Sequence, residues 1–217
     1  MKDGITAFIR EHAGGTDIFC FQEVYPEMRH LCEMLLPNYR EFSAYKFVAK
    51  NDDFSQATFV RKNIEVKSSE NILAKQINCG LGINVQLTIN EKIFHVCNFH
   101  GLSMPGDKLD NRNRLKQSQG LLASFKGKKG PKIIGGDFNL LPNTRSIEIF
   151  EESGYKNLIK DFSIKTTRNR LSWEKYPGNK QYFSDYVFIS PEIKVKSFSV
   201  PENENSDHLP MILEAEI

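Results

Sequence analysis

The sequence predicts a single domain of the α/β (α+β) class, with strands and helices layered around a common core. Short apolar runs rich in β-branched and aromatic residues recur along the whole chain. Amphipathic stretches of helical period separate them, and no repeat or low-complexity linker divides the 217 residues. Hydrophobic residues at 40% and charged residues at 26% are ordinary for a soluble globular chain, and the length is enough to bury a substantial core. The 16 phenylalanines point to thick packed layers.

Taken in order, Asp3 is placed to cap a first helix in which Ile5, Phe8 and Ile9 recur at helical spacing, closed by Gly14-Gly15. The run 17–24, centred on Ile18-Phe19-Cys20-Phe21, lacks alternation and predicts a strand covered on both faces. Pro26 opens a second helix through Leu36, which Pro37-Asn38 stops. Strands follow over 39–48, 56–61, 64–68, 81–89 and 92–99, with Asn90-Glu91 as a two-residue hairpin turn. After a loop containing Pro105-Gly106, a helix over 110–125 places Leu115, Leu122 and Phe125 on one side. A short buried strand at 132–136 comes next, and Gly135-Gly136 is expected to let the backbone turn as it leaves the core. Asn143 or Thr144 starts a short helix ending at Gly154. Residues 160–181 read as a long polar surface loop, and strands return at 182–189, 193–200 and 209–217.

A net charge of +2 excludes the global field of a general nucleic-acid binder. Basic residues do cluster locally: Arg112, Arg114 and Lys116; Lys126, Lys128, Lys129 and Lys132; Arg168 and Arg170. The four cysteines form no CxxC pair and have no metal-ligand spacing with histidine, so buried free thiols in a reducing compartment are expected. No run approaches the roughly 18 apolar residues of a membrane span. No leader is visible ahead of the first helix, which makes the cytoplasm the expected location.

Chemistry gathers where strands end. In Gly136-Asp137-Phe138-Asn139, residues two apart share a face, so Asp137 and Asn139 point together while Phe138 points away. A carboxylate beside a carboxamide suits a hard metal ion or a phosphoryl group. The apolar run 18–21 leads to Glu23, and that of 93–99 to His100, with Asn98 on the same face. Asp185 lies between Phe183 and Val187, and the last strand is entered through Ser206-Asp207-His208-Leu209-Pro210. Buried polar groups are costly unless paired or bound, and these would be compensated together if they met in one place.

In this order and with these flanks, Phe21-Gln22-Glu23-Val24, Asn98-Phe99-His100, Gly136-Asp137-Phe138-Asn139, Ser184-Asp185-Tyr186 and Ser206-Asp207-His208-Leu209-Pro210 resemble the motifs of the endonuclease/exonuclease/phosphatase superfamily, which includes DNase I-like and exonuclease III-like enzymes. The resemblance spans nearly the whole chain. It implies a four-layer sandwich, two packed mixed β-sheets flanked by helices, and a hydrolase acting on phosphoester bonds by in-line attack of water. It implies Glu23 as the main Mg2+ ligand (Mn2+ being the alternative ion) and Asp207 as a second carboxylate at the metal. Asp137 would orient or deprotonate the water, Asn139 would contact that water or the phosphate, and His208 would meet a phosphoryl oxygen. Asp185 would orient His208, and His100 would be a phosphate ligand or general acid.

The motif set specifies the superfamily and leaves the substrate open. Phosphodiester bonds of nucleic acid are the first expectation, since Arg112, Arg114 and Lys116 follow the His100 loop and Arg168 and Arg170 accompany Trp173 and Tyr176. The alternative is a small or lipid phosphate, of the inositol phosphate or sphingomyelin type. A third reading is an inactive form acting as a binding scaffold. A monomer is expected. One departure bears on activity: the family's pattern begins with an apolar, Asn-containing strand ahead of the first helix, and this chain starts at Met1 directly before that helix. The domain is therefore expected to cover 1–217 without that strand, either as a truncated form (secretion then staying open) or as a true short form. The otherwise intact site favours truncation.

Overall fold

The structure, a computed structural model, describes residues 2–47, 54–103, 107–174 and 177–216. The larger sheet holds β4 (Glu65–Ile72), β5 (Leu81–Ile89), β6 (Lys92–His100), β7 (Lys132–Asp137), β8 (Lys156–Asn157) and β9 (Asp185–Ile189) in the order β4-β5-β6-β7-β9-β8. A second layer holds β1 (Ile18–Gln22), β2 (Tyr39–Lys46) and β3 (Phe54–Arg61) in the order β1-β3-β2, and β10 (Lys194–Ser199) pairs with β11 (Ile212–Glu216) in a separate two-stranded sheet.

Alternation along β5 and β6 builds both sides of the large sheet. Leu81, Ile83, Val85, Leu87, Phe94 and Val96 pack against Ala44, Phe54 and Val60 of the second layer. Cys97 and Phe99 turn the other way, into a cluster with Leu121 and Phe125 of α3 (Arg112–Phe125) and Ile147 and Phe150 of α4 (Arg145–Glu152). On the far side, α1 (Lys2–Ala13) and α2 (Pro26–Leu35) bring Ile9 and Cys32 against Phe19, Ala57 and Phe59. Helices, sheet, sheet and helices thus form the expected four layers. Three of the four free cysteines are buried.

The hairpin turn has the residues it needs. Asn90 (φ 50°) and Glu91 (φ 64°) are both left-handed, as a two-residue type I′ turn requires. Gly135-Gly136 behaves otherwise than expected. The strand runs on to Asp137, and a Cβ on Gly136 would stand 2.0 Å from the Phe99 carbonyl oxygen. Close approach of β6, rather than a turn, demands glycine there. Strand β1 also differs: Phe19 is its one buried residue and Cys20 is exposed, because β1 is an edge strand of a three-stranded sheet.

The start of the helix expected over 110–125 and the role of Asp3 are corrected as well. Asn111 is the N-cap of α3, its side chain accepting from Asn113 N (3.0 Å) and Arg114 N (2.9 Å). Asp110 instead caps α4, accepting from Ser146 N (3.0 Å) and Arg145 N. Asp3 lies within the first turn of α1, where it complements the helix dipole. Stretch 160–181 is less irregular than its composition suggests: it ends α5 (Leu158–Asp161), contains α6 (Arg170–Trp173), and forms an antiparallel bridge from Arg168 to His208. Val48, Tyr176 and the 105–106 turn lie outside the described residues.

Asn98 ties the layers together. Its amide donates to the carbonyls of Phe21 and Ala57 (both 3.1 Å), and its oxygen accepts from Gln22 Nε2 (2.5 Å). It is fully buried and works as a clamp. Removing such a side chain strands several buried polar groups, so Asn98→Ala is expected to destabilise the fold by roughly 2–4 kcal/mol in urea denaturation. A loss below about 0.5 kcal/mol would contradict the clamp. In the hairpin, Glu91→Gly is expected to raise stability by roughly 0.5–1 kcal/mol, because glycine adopts the left-handed turn without steric cost.

Candidate active site

Strand register builds the site. β6 and β7 run parallel with His100 opposite Asp137, and β7 and β9 run antiparallel with Asp137 opposite Asp185. In-register residues on adjacent strands face the same way at about 4.8 Å spacing. His100, Asp137 and Asp185 therefore form one buried row across the end of the large sheet. The intervening Phe138 anchors the row from the opposite side, with its ring 5.0 Å from Phe99, 5.5 Å from Phe150, 5.7 Å from Tyr186 and 5.4 Å from Phe188.

The two oxygens of Asp137 have different surroundings. Oδ1 accepts from Asn139 N (2.7 Å) and from the Ser184 hydroxyl. Oδ2 faces His100 Nε2 at 3.9 Å and His208 Nε2 at 3.8 Å. Burial would raise this carboxyl, but His208, Lys108 and His100, helped by the Ser184 hydrogen bond, bring it down to about 2.

His208 is locked by Asp185. Its Nδ1 lies 2.9 Å from Asp185 Oδ1 and 3.1 Å from Oδ2, and Thr167 Oγ1 donates to Oδ2 at 2.8 Å. Burial would lower the imidazole, but the Asp185 and Asp137 carboxylates outweigh it and raise His208 to about 9. Asp185 is pushed up by burial first, with Asp137 adding to the rise and His208 opposing it. At neutral pH the two carboxylates favour the imidazolium, with Nδ1 on Asp185 and Nε2 turned towards Asp137.

Glu23 follows β1 in a left-handed conformation (φ 57°), with its carboxylate largely exposed and 3.9 Å from His100 Nε2. A non-glycine residue at positive φ carries backbone strain, which tends to persist at functional sites. Asp207 Oδ2 binds Arg168 Nη2 at 3.0 Å and lies 3.8 Å from His208 Nε2. The structure thus brings Glu23, His100, Asp137, Asp185 and His208 together through direct approaches, with Asp207 at the margin beside His208.

Three participants escaped the sequence reading. Thr167, fully buried, orients Asp185. Ser184 binds Asp137. Lys108 Nζ donates to the Asn139 side-chain oxygen and to Ser184 Oγ (3.1 Å). Ser184 stood within a recognised motif, whereas Lys108 and Thr167 lie in polar loops without any periodic signal. The Asn139 amide donates to Gly101 O (3.1 Å), so both ends of that carboxamide are engaged inside the protein. Asn98, grouped with His100 by its face, serves the layer clamp instead.

Hard oxygen donors suit a divalent cation. Asp137, Asp185 and His208 place possible ligand atoms within 4.8 Å of one another. Their hydrogen bonding argues against that trio as the metal site: His208 Nδ1 is already spent on Asp185, and Asp137 Oδ1 on Asn139 N and Ser184. The exposed carboxylate of Glu23 is the better open donor, with Asp207 beyond His208 as a second.

A buried carboxylate row with an imidazolium on its flank is equipment for handling phosphoryl oxygens and an attacking water. The family profile of the Endonuclease/Exonuclease/phosphatase family matches residues 2–208. The chain belongs to that family of phosphoester hydrolases, which generally use a divalent metal. Among solved structures, an endonuclease/exonuclease/phosphatase from Bacteroides vulgatus is 21% identical with a TM-score of 0.80, covering 100% of this chain and 90% of its own. The human Nocturnin catalytic domain with bound sulfate is 21% identical with a TM-score of 0.73, covering 99% and 86%. The Bacteroides thetaiotaomicron mannosyl-6-phosphatase Bt3783 is 18% identical with a TM-score of 0.73, covering 98% and 89%. At these identities the likeness shows the fold. No curated protein matches the chain.

The His208 pairing has a pH signature. A base raised above its unfolded value stabilises the fold at low pH and loses that contribution as pH rises through the folded value. In chelator-treated protein, His208 should contribute fully below about 6.5 and progressively lose its contribution up to about 9. Thermal melts should therefore show the wild type declining over that window more steeply than His208→Gln. Parallel curves for the two proteins would contradict the pairing.

Proposed function

We propose that the chain is a Mg2+-dependent phosphoesterase that cleaves phosphodiester bonds, with nucleic acid as its substrate. The observation that carries this reading is the register row His100–Asp137–Asp185 with His208 fixed on Asp185. Glu23 and Asp207 would hold the Mg2+ (or Mn2+), which when bound supplies Lewis-acid polarisation of the phosphoryl group. Asp137 Oδ2, the oxygen not bound to Asn139 N or Ser184, orients the attacking water in line with the leaving group. A carboxyl held at about 2 is a poor base, so positioning and charge are its contribution. His208 Nε2–H meets a phosphoryl oxygen as charge builds there, while Asp185 fixes the tautomer and orientation of the ring. His100 Nε2, 3.9 Å from both the Glu23 and the Asp137 carboxylates, lies between the proposed metal ligand and the water-orienting group.

Nucleic acid as substrate is supported by the exposed Arg112 and Lys116 beside the site loop, and by a relative of the same fold, zebrafish TDP2, described in complex with single-strand DNA product. A second reading, a small or lipid phosphate, is favoured by the fate of the other arginines. Arg114 is buried beneath the loop, Arg168 pairs with Asp207, and Arg170 pairs with Glu174 and Glu204. Binding that falls steeply with salt supports nucleic acid, whereas salt-insensitive turnover of a soluble phosphoester supports the second reading.

We also propose that residues 1–217 act as one monomeric domain whose second layer accepts a further strand at a free edge. Among the described residues β1 pairs with β3 alone and β11 with β10 alone, and no residue of β11 is fully buried. Amides of β1 not bonded to β3 are expected to exchange rapidly with solvent; strong protection there would contradict an open edge. No helix among the described residues is long and apolar enough to cross a membrane.

Glu23→Ala, Asp137→Ala and His208→Ala are each expected to lower turnover of a phosphodiester by at least about a hundredfold, with unchanged circular dichroism. Chelation should abolish turnover, and added Mg2+ or Mn2+ should restore it. Near-wild-type rates in these purified variants would sink the assignment.

A further inference from the structure

Lys108 is a buried ammonium that lacks a carboxylate within ion-pair distance among the described residues. Its direct partners are two neutral oxygens, the Asn139 side-chain oxygen and Ser184 Oγ at 3.1 Å. An ammonium has three N–H donors, so one donor stays uncommitted, and the charge has no direct carboxylate contact. Burying such a charge is expensive unless it serves an anion. Asp137, bound by the same Ser184 hydroxyl, is the nearby negative group, yet it already faces two imidazoles.

The mount under Lys108 is unusually complete. Arg114, only 2% exposed, donates from Nη1 to the carbonyls of Asp107 (3.0 Å) and Leu109 (2.7 Å), the residues on either side of Lys108. Lys108 O accepts from Leu141 N at 2.9 Å, which fastens the loop to the segment just beyond Asn139. One turn along α3 from Arg114, Gln117 Oε1 accepts from Gly80 N (2.7 Å) and Leu102 N (2.8 Å), securing the start of the same loop. Two buried side chains of α3 thus aim one lysine at the Asp137 row. A solvated surface lysine needs no such support.

We propose that Lys108 is a substrate-contacting residue whose free N–H binds a non-bridging oxygen of the phosphoryl group. It adds a charged donor beside Asn139, whose side-chain oxygen holds the ammonium and whose amide is anchored on Gly101 O. Asn139 and Ser184 orient the ammonium, and Arg114 is a positioning residue acting through the loop. The inference rests on the phosphoesterase reading and adds a cation to it. In the transition state the phosphoryl group carries charge on several oxygens, and a fixed ammonium would stabilise it alongside His208.

The test compares wild type with Lys108→Met, Lys108→Gln and Lys108→Arg. Calorimetry with orthophosphate in the presence of Mg2+ reads binding without turnover. Kinetics on bis(4-nitrophenyl) phosphate and its phosphorothioate analogue read the contact in the reaction. Lys108→Met is expected to weaken orthophosphate binding at least tenfold, to lower kcat/KM at least about thirtyfold and to shrink the sulfur-for-oxygen effect, with Lys108→Arg retaining part of each. If Lys108→Met fails to fold, Lys108→Gln, which removes the charge and keeps polar contact, should show the same losses. A folded uncharged variant that binds orthophosphate as the wild type does, or a wild type that binds none, overturns the inference. A wild type that binds orthophosphate but cleaves no phosphoester in a panel of DNA, RNA, inositol phosphates and sphingomyelin would instead count against the proposed activity, and the binding comparison still decides the role of Lys108.

Discussion

The register of β6, β7 and β9 is the constraint on which the rest depends. Because side chains alternate with a period of two, a one-residue slip in any of these strands would move its site residue to the helix-facing side. Slippage is blocked by groups that fit one alignment alone. Gly136 lies where Phe99 O leaves no room for a Cβ, and the Phe138 ring is enclosed by four aromatic neighbours on the helix side. The row of His100, Asp137 and Asp185 is thus held by packing on the opposite face of the sheet. A core that orders Phe138 also orders Asp137 and Asn139.

Charge balance is the second layer of organisation. Two buried carboxylates in adjacent strands repel each other and resist ionisation, so a row of this kind needs cations close by. His208 supplies one across Asp185, and Lys108 supplies a second across Ser184 and Asn139. Asp207 has its own partner in Arg168. The loops that deliver these groups are secured by buried side chains: Arg114 under the Lys108 loop and Thr167 under Asp185. Electrostatic preorganisation of this kind is assembled during folding, so little reorganisation is needed when substrate charge develops.

Legibility in the sequence followed locality. Strand ends carrying Glu23, His100, Asp137, Asp185 and His208 stood out because polar residues interrupt apolar runs, and the hairpin at Asn90-Glu91 followed from turn chemistry. The four layers were reached through a resemblance carried by these same motifs. Less visible was anything decided by tertiary contact. Whether Gly136 serves a turn or a close approach depends on Phe99, which lies far away in sequence. Asp110 and Asn111 look equivalent as caps, and geometry assigns them to different helices. Arg114 reads as a surface charge beside Arg112, yet its guanidinium is the buried mount of a loop. The polar stretch 160–181 concealed the Thr167 contact and the Arg168 bridge because neither leaves a periodic trace.

The central claim is that the Asp185–His208 pair acts as one unit on the Asp137 row during phosphoester cleavage. A double-mutant cycle tests it most directly, comparing phosphodiester turnover by wild type, Asp185→Asn, His208→Gln and the double variant, all checked for native folding. Groups that work as a unit give grossly non-additive losses. The double variant is therefore predicted to be no slower than the slower single variant, within about threefold. Losses that simply multiply would show that the two residues act independently and would contradict the account.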